Sequence, residues 1–84
     1  MTDLVLYYMP TCPFCQKVIS FMKKNDIEVT MKDTLGEQSY RQELLTIGGK
    51  TQVPCLVIDG KALYESDDII SWFKENWKKV KQAF

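Results

Sequence analysis

The sequence predicts one α/β domain in which helices flank a mixed four-stranded sheet, in the order β-α-β-α-β-β-α. Short apolar runs suited to strands alternate with segments of helical periodicity. A helical crossover separates the first two strands, which should therefore be parallel, and a tight turn joins the last two, which should be antiparallel. A chain of 84 residues is too short to divide, so we expect a single domain over residues 1–84.

Apolar periodicity predicts the first helix and its flanking strands. The run at residues 4–8 is typical of a buried strand, and the alternation at residues 27–31 is typical of a half-buried one. Between them, Pro13 suits the first turn of a helix, where a missing N–H is tolerated. The apolar side chains predicted to form the buried face of this helix are Phe14, Val18, Ile19 and Met22.

Caps and turns predict the remaining elements. Ser39 followed three residues later by Gln42 matches a capping box at the start of a second helix, and a start one or two residues earlier is the alternative. The Asp-Gly pair at 59–60 is a strong signal for a two-residue turn between strands at 54–58 and 61–64. The last helix opens at Ser66. The buried faces predicted for these two helices are Tyr40, Leu44, Leu45 and Ile47 for the second, and Ile69, Ile70, Phe73, Trp77 and Val80 for the last.

The composition of the chain excludes several classes of function. Eleven basic residues balance eleven acidic ones, which leaves no electrostatic footprint for nucleic acid or an anionic membrane. The longest apolar run is too short to span a bilayer, and residues 1–9 lack the basic residues of a signal peptide. Because histidine is absent, His-based catalysis and His-ligated zinc are excluded. We expect a cytoplasmic protein, monomeric by default, that binds neither nucleic acid nor membrane.

The Cys-Pro-Phe-Cys segment at residues 12–15 follows a strand and opens a helix. At a helix N-terminus, backbone N–H groups and the helix dipole favour a thiolate, so the pKa of Cys12 should lie below that of a free thiol. The thiolate is the nucleophile of disulfide exchange. Cys15 lies almost one turn further on, inside the helix, and is predicted to resolve a mixed disulfide formed at Cys12.

The sequence is less favourable to two other interpretations of this segment. Half of a zinc site would need a second cysteine pair, and only Cys55 remains in the chain. Two buried, inert thiols are conceivable, but Pro13 favours an exposed helix start. Cys55 itself lies in an apolar strand and is predicted to be a small core residue.

The chain resembles the glutaredoxin family over nearly its whole length, and three segments carry this resemblance. Residues 12–15 are similar to the Cys-Pro-Tyr-Cys of dithiol glutaredoxins, and residues 52–54 (Gln-Val-Pro) are similar to the family's Thr-Val-Pro. Residues 66–68 (Ser-Asp-Asp) open the last helix as in the family. The resemblance implies a minimal thioredoxin-like fold and a cis peptide bond before Pro54.

The resemblance also implies glutathione as cosubstrate, with no permanently bound cofactor and no metal. In the family the tripeptide lies along the segment before the cis-proline, and its γ-glutamyl carboxylate lies at the start of the last helix. Helix N-termini bind carboxylates readily, which makes this placement physically reasonable. The implied catalytic residues are Cys12 and Cys15, and the implied glutathione-binding residues are Phe14, Lys50, Gln52, Val53, Pro54, Glu65, Ser66 and Asp67.

The chain departs from the family at two places. Many glutaredoxins have a lysine three residues before the first cysteine, where this chain has Met9. Lys50 occupies a basic position of the family and is predicted to replace part of that contribution. Many members have Gly-Gly before the last helix, whereas Glu65 and Ser66 here are similar to the Glu-Ser of glutathione transferase N-terminal domains.

The activity implied by the resemblance is glutathione-dependent thiol–disulfide oxidoreduction, with a role in electron transport and cell redox homeostasis. Its partners would be glutathione and proteins that carry glutathionylated cysteines or disulfides. One alternative is a redoxin reduced by thioredoxin reductase that donates electrons to ribonucleotide reductase. A second, non-enzymatic alternative is an iron–sulfur carrier in which two chains bridge a [2Fe–2S] cluster through Cys12 and two glutathiones. In the family pattern, Pro13 favours the dithiol form over cluster assembly.

Overall fold

The order of elements is the predicted one. The computed structural model describes residues 3–82, with side chains up to residue 76. Within that range the four strands form one mixed sheet in the order β2-β1-β3-β4, which confirms the predicted fold class. The elements are β1 (Leu4–Tyr8), α1 (Pro13–Lys24), β2 (Thr30–Asp33), α2 (Gln38–Gly48), β3 (Cys55–Ile58), β4 (Lys61–Tyr64) and α3 (Ser66–Gln82).

Strand β1 lies inside the sheet and sets the register of its neighbours. It pairs in parallel with β2 and antiparallel with β3, with Leu6 opposite Leu56. β3 and β4 form the predicted antiparallel hairpin. At its turn Asp59 and Gly60 have φ angles of 49° and 86°, and a type I′ turn requires positive φ at both positions.

Alternating strand residues divide the core between the two faces of the sheet. Leu6 and Leu56 pack on the face covered by α1 and α3, in a cluster with Val18 and Phe73. Tyr7, Cys55 and Val57 pack on the opposite face against Leu44 of α2. Successive side chains of a strand point to opposite faces, so two apolar clusters form with the sheet between them. Within residues 3–82, no helix has the length and apolar character to cross a membrane.

The predicted bounds of the second strand are wrong. The strand covers Thr30–Asp33 rather than residues 27–31, because its parallel pairing with β1 begins at Val5 opposite Thr30. Ile27 is buried, but it lies in the loop after α1, where its N–H donates to the Met22 carbonyl at 2.9 Å. This loop therefore has the alternating apolar and polar residues of a strand, because its apolar residues pack against the core, but it does not form one. The third strand also begins one residue later than predicted, at Cys55, because Pro54 precedes it.

Parts of the predicted helix faces are wrong as well. In α1, Phe14 is 63% exposed and Cys15 is buried in its place, so the stripe is shifted by one residue at the first turn. In α2, Leu45 and Ile47 are exposed, and only Leu44 is fully buried. The stripe of α2 that packs against the sheet centres on Leu44, which contacts the cluster of Tyr7, Cys55 and Val57, so it is narrower than the sequence pattern suggested. In α3, Ile69 and Phe73 are buried as predicted, while the side chains of Trp77 and Val80 lie outside the described part.

The cap of α2 also differs from the prediction. Glu37, not Ser39, is the N-cap residue, and its carboxylate accepts a hydrogen bond from the Ser39 N–H at 3.3 Å. The helix ends at Gly48, followed by Gly49 in the left-handed conformation with φ of 78°. Gly48 packs so closely against β4 that a methyl group there would overlap with the Tyr64 hydroxyl oxygen. This contact fixes the end of α2 beside the loop that leads to the site.

Candidate active site

The cysteine pair lies at the start of α1, as the sequence predicts. Cys12 is the N-cap residue, with extended backbone angles, and Pro13 follows as the first helical residue. The Gln16 N–H donates to the Cys12 carbonyl at 3.0 Å and closes the first helical turn. Cys12 is half-buried, Cys15 is fully buried, and both are free thiols. Cys12, the more exposed of the two thiols, is therefore the one predicted to act as nucleophile.

The two thiols have pKa values shifted in opposite directions. Burial opposes ionisation of Cys12, but hydrogen bonds outweigh it, so the pKa of Cys12 is lowered. The groups that lower it are the nearby backbone N–H groups of Cys15 and Phe14 and the Cys15 thiol, which act on the Cys12 sulfur without forming a full side-chain cap. Burial raises the pKa of Cys15 to about 12, although the Met9 N–H donates to its sulfur at 3.4 Å. A thiolate at Cys12 is thus supported by a neighbouring Cys15 that stays protonated.

Pro54 lies beside the cysteine motif and has the predicted cis peptide bond to Val53. A cavity of about 240 Å³ opens at this point of the surface. It brings together residues from the cysteine helix, from the segment before β3 and from the start of α3. Its lining residues are Phe14, Gln52, Val53, Pro54, Glu65 and Ser66.

Six of the eight residues that the resemblance assigned to glutathione line this one cavity. The other two, Lys50 and Asp67, are not among its lining residues. The Lys50 ammonium lies over the Tyr64 ring, 5.0 Å from its centre, while the Tyr64 hydroxyl donates to the Lys50 carbonyl at 3.3 Å. Lys50 is predicted to supply part of the positive charge that the family has at the position of Met9. To do so, its ammonium would have to move away from the Tyr64 ring.

Asp67 already has a cationic partner that the sequence analysis did not identify. The Lys17 ammonium lies 2.5 Å from the Asp67 carboxylate and joins the second turn of α1 to the first turn of α3. Nothing in the spacing of the sequence indicates this pair, because its members are 50 positions apart. Only the packing of α1 against α3 brings them together.

Glu65 holds the backbone at the start of α3 in an unusual conformation. Its φ angle is 73°, in the left-handed region that disfavours residues with a Cβ by about 1–2 kcal/mol. The Glu65 carbonyl accepts from the Ile69 N–H at 3.0 Å, and its carboxylate accepts from the Gln52 side chain at 3.1 Å. Glu65 is at the position where many glutaredoxins have a glycine. Its hydrogen bond to Gln52 connects the start of α3 to the segment before Pro54.

Cys55 lies next to Pro54 but belongs to the core, as predicted. Its side chain is fully buried, and burial raises the pKa of the thiol to about 11 despite a hydrogen bond from the Leu63 N–H. Between residues 3 and 82, no three Cys, Asp or Glu side chains are grouped so that they could hold a metal ion.

Comparison with solved structures identifies the fold class. Oxidised glutaredoxin 2 from Chlamydomonas reinhardtii superposes with a TM-score of 0.70 over 98% of this chain and 81% of that chain, at 23% sequence identity. The protein therefore has the thioredoxin-like fold of glutaredoxins, with a cysteine pair at the start of α1 and a cis-proline before β3. This combination of fold and site defines a thiol–disulfide oxidoreductase.

Sequence comparison identifies the family. The chain belongs to the family described as glutathione S-transferase, N-terminal domain, whose model matches residues 6–79. Glutaredoxin 3 of Escherichia coli K12 is 25% identical over 69 residues, which are 82% of this chain and 83% of the relative. An uncharacterised glutaredoxin-like protein of Clostridium pasteurianum is 28% identical over 58 residues, 69% of this chain and 77% of the relative. These similarities confirm the glutaredoxin assignment.

Proposed function

We propose that this protein is a glutathione-dependent thiol–disulfide oxidoreductase that reduces glutathionylated substrates and protein disulfides. The cavity beside the cysteine motif carries this proposal. It offers the exposed Phe14 ring as an apolar wall, the backbone of Val53 before the cis-proline, and the buried side chain of Ser66 at the start of α3. A γ-glutamyl peptide could bond to the Val53 backbone and place its carboxylate at the first N–H groups of α3.

The first half of the proposed cycle takes place at Cys12. Its thiolate attacks the glutathione sulfur of a mixed disulfide, so that a Cys12–glutathione bond forms and the substrate bond breaks. The substrate leaves as a thiolate and takes a proton from water. A second glutathione thiolate then attacks the glutathione sulfur bound to Cys12. Oxidised glutathione departs and the Cys12 thiolate is regenerated.

Protein disulfides need Cys15 as well. Cys12 attacks one sulfur of the substrate disulfide, and the other substrate sulfur leaves as a thiolate that takes a proton from water. Cys15 then attacks the Cys12 sulfur and passes its proton to the second departing substrate thiolate, so that the Cys12–Cys15 bond forms and the reduced protein is released. Two glutathiones reduce the resulting Cys12–Cys15 disulfide. The high pKa of Cys15 keeps it protonated in the resting enzyme, so it does not compete with Cys12 for the first attack. Potentials of about −200 to −230 mV in glutaredoxins are compatible with reduction by glutathione.

A coupled turnover assay tests the proposal. One arm supplies glutathione and glutathione reductase, the other supplies thioredoxin reductase, and NADPH consumption is followed with a small glutathione mixed disulfide as substrate. We expect turnover in the glutathione arm, its loss in Cys12→Ser, and its retention in Cys15→Ser, which should lose only protein-disulfide reduction. Appreciable turnover by Cys12→Ser would refute the assignment of the nucleophile.

The thioredoxin-reductase arm tests a second candidate function. The uncharged Met9 and the contact of Lys50 with the Tyr64 ring both remove cations from the expected glutathione site. Turnover with thioredoxin reductase alone would retain Cys12 as nucleophile and remove glutathione from the mechanism. If neither arm shows turnover, the iron–sulfur carrier becomes the leading hypothesis, and anaerobic purification should then yield a coloured protein.

A further inference from the structure

We infer that the backbone N–H of Met9 is a catalytic group of the cysteine site, which stabilises the negative charge that Cys15 carries during disulfide exchange. The inference rests on the proposed function and deepens it. Cys15 carries this charge twice in the proposed cycle. It attacks the Cys12 sulfur when a protein substrate is released, and it leaves that sulfur when glutathione reduces the Cys12–Cys15 disulfide.

The first observation is the contact between Met9 and the Cys15 sulfur. The last pair of β1 with β2 joins Tyr8 to Asp33, so Met9 lies just beyond this ladder. The Met9 N–H donates to the Cys15 sulfur at 3.4 Å. The Met9 carbonyl accepts from the Cys12 N–H at 3.1 Å. The backbone of Met9 is therefore held against both cysteines, and its donor already points at the sulfur that must become charged.

The second observation is the environment of that sulfur. Cys15 is fully buried, and burial raises the pKa of its thiol to about 12. The neighbouring Cys12 acts in the same direction, whereas the hydrogen bond from Met9 acts against it and favours the thiolate. Because water does not reach a fully buried sulfur, a charge on it depends on donors that the protein itself supplies.

A donor that is already in place assists the exchange in both directions. When Cys15 resolves a mixed disulfide, its proton goes to the departing substrate thiolate and its sulfur bonds to the Cys12 sulfur. When a glutathione thiolate attacks the Cys12 sulfur, the Cys12–Cys15 bond breaks, and Cys15 leaves with the electron pair and then takes a proton from water. A hydrogen bond strengthens as its acceptor becomes anionic, so the Met9 N–H lowers the barrier to both steps.

An amide-to-ester replacement at Met9 removes this donor and keeps every side chain. The full chain is assembled by ligation at Cys12, from a peptide of residues 1–11 that carries the ester and an expressed fragment of residues 12–84. Rapid quenching and intact mass then follow the exchange with glutathione. We expect closure of the Cys12–Cys15 disulfide from glutathionylated Cys12, and its reopening by glutathione, both to slow about five- to fiftyfold.

Two further readouts separate this role from a purely structural one. The equilibrium constant between the glutathionylated and disulfide forms should change less than about threefold, because the donor acts mainly on the charged sulfur and both directions slow alike. Turnover of a small glutathione mixed disulfide needs only Cys12 and should stay at the wild-type rate. A distorted site would instead lower this turnover or shift the equilibrium.

Thr34→Val is the matched control. The ester also weakens the Tyr8 carbonyl as an acceptor, and this carbonyl accepts from the Thr34 hydroxyl at 3.1 Å. Thr34→Val removes that bond and keeps the Met9 N–H, so closure and reopening should stay near their wild-type rates. Unchanged rates in the ester variant, equal slowing in Thr34→Val, or loss of turnover on the small mixed disulfide by the ester variant would overturn the inference alone. If wild type shows no exchange with glutathione, the proposed function and the inference both fail.

A second measurement leaves Met9 unaltered. Cys15→Sec in a Cys12→Ser background puts a selenol, which ionises at lower pH than a thiol, at the buried position. In a nuclear magnetic resonance titration the Met9 amide proton should move downfield as the selenolate forms, with the midpoint given by the ultraviolet absorbance of the selenolate. A Met9 resonance that does not follow this midpoint would overturn the inference, whether or not the ester variant folds.

Discussion

Alkylation by iodoacetamide should distinguish the three thiols of the reduced protein by their pKa values. With a pKa of about 12, Cys15 is ionised at pH 8 in only ~1 molecule in 10⁴, and Cys55, with a pKa of about 11, in ~1 in 10³. Cys12, whose pKa is lowered, should be ionised in at least about a tenth of the molecules. Because the thiolate is the reacting form, Cys12 should react at least ~100-fold faster than the other two.

The assay is alkylation from pH 6 to pH 9.5 with quenching, intact mass and peptide mapping, and with free glutathione as the reference thiol. We expect one modification, at Cys12, with a midpoint below that of glutathione. In urea all three cysteines should react alike. Cys15→Ala should raise the midpoint of Cys12, since it removes the hydrogen bond from the Cys15 thiol. Modification of Cys15 within tenfold of the rate of Cys12, or a Cys12 midpoint above that of glutathione, would refute this account of the site.

Three further predictions concern stability and electrostatics. Between pH 9 and pH 11 the unfolded state ionises Cys55 far more than the folded state does, so the free energy of unfolding should fall by about 2 kcal/mol through this thiol. Urea denaturation at both pH values should show a fall in the free energy of unfolding that is smaller by this amount in Cys55→Ala than in wild type. An equal fall in both proteins would contradict the raised pKa of Cys55. Gly48→Ala should lower the free energy of unfolding by about 1–3 kcal/mol, because its methyl group overlaps with the Tyr64 hydroxyl. Tyr64→Phe should recover part of this loss, and wild-type stability of Gly48→Ala alone would refute the contact. Lys32→Met should raise the pKa of Glu43, followed by carboxyl resonance titration, because the Lys32 ammonium 2.7 Å away is the main cause of its lowered value; no rise would refute that cause.

The network around Glu43 also explains why β1 holds its position. The buried Tyr7 of β1 donates its hydroxyl to the Glu43 carboxylate at 2.9 Å, and Lys32 of β2 donates to the same oxygen at 2.7 Å. The Lys32 ammonium also lies 5.6 Å from the centre of the Tyr7 ring. One carboxylate on α2 therefore ties together the two strands that are parallel in the sheet. The end of β1 leads directly into the cysteine segment, so this network supports the position of the site.

Features that depend on neighbouring residues can be predicted from the sequence. The order of elements followed from periodicity, the hairpin turn followed from the Asp-Gly pair at 59–60, and Pro13 marked the start of α1. The assignment of Cys12 as the more exposed thiol needed only its place at a helix N-terminus. The cis bond at Pro54 followed from the resemblance, since local propensity alone strongly favours trans.

Features that depend on residues distant in the sequence become visible only in the folded chain. Ile27 fits the alternation of a strand because apolar and polar residues alternate from it, and only the pairing of β2 with β1 shows that it lies in a loop. The left-handed backbone of Glu65 is imposed where β4 meets α3, against the preference of a residue with a Cβ. The contact between Lys17 and Asp67 arises because α1 and α3 pack on the same face of the sheet. Charge pairs of this kind have no sequence period, so only the folded structure reveals them.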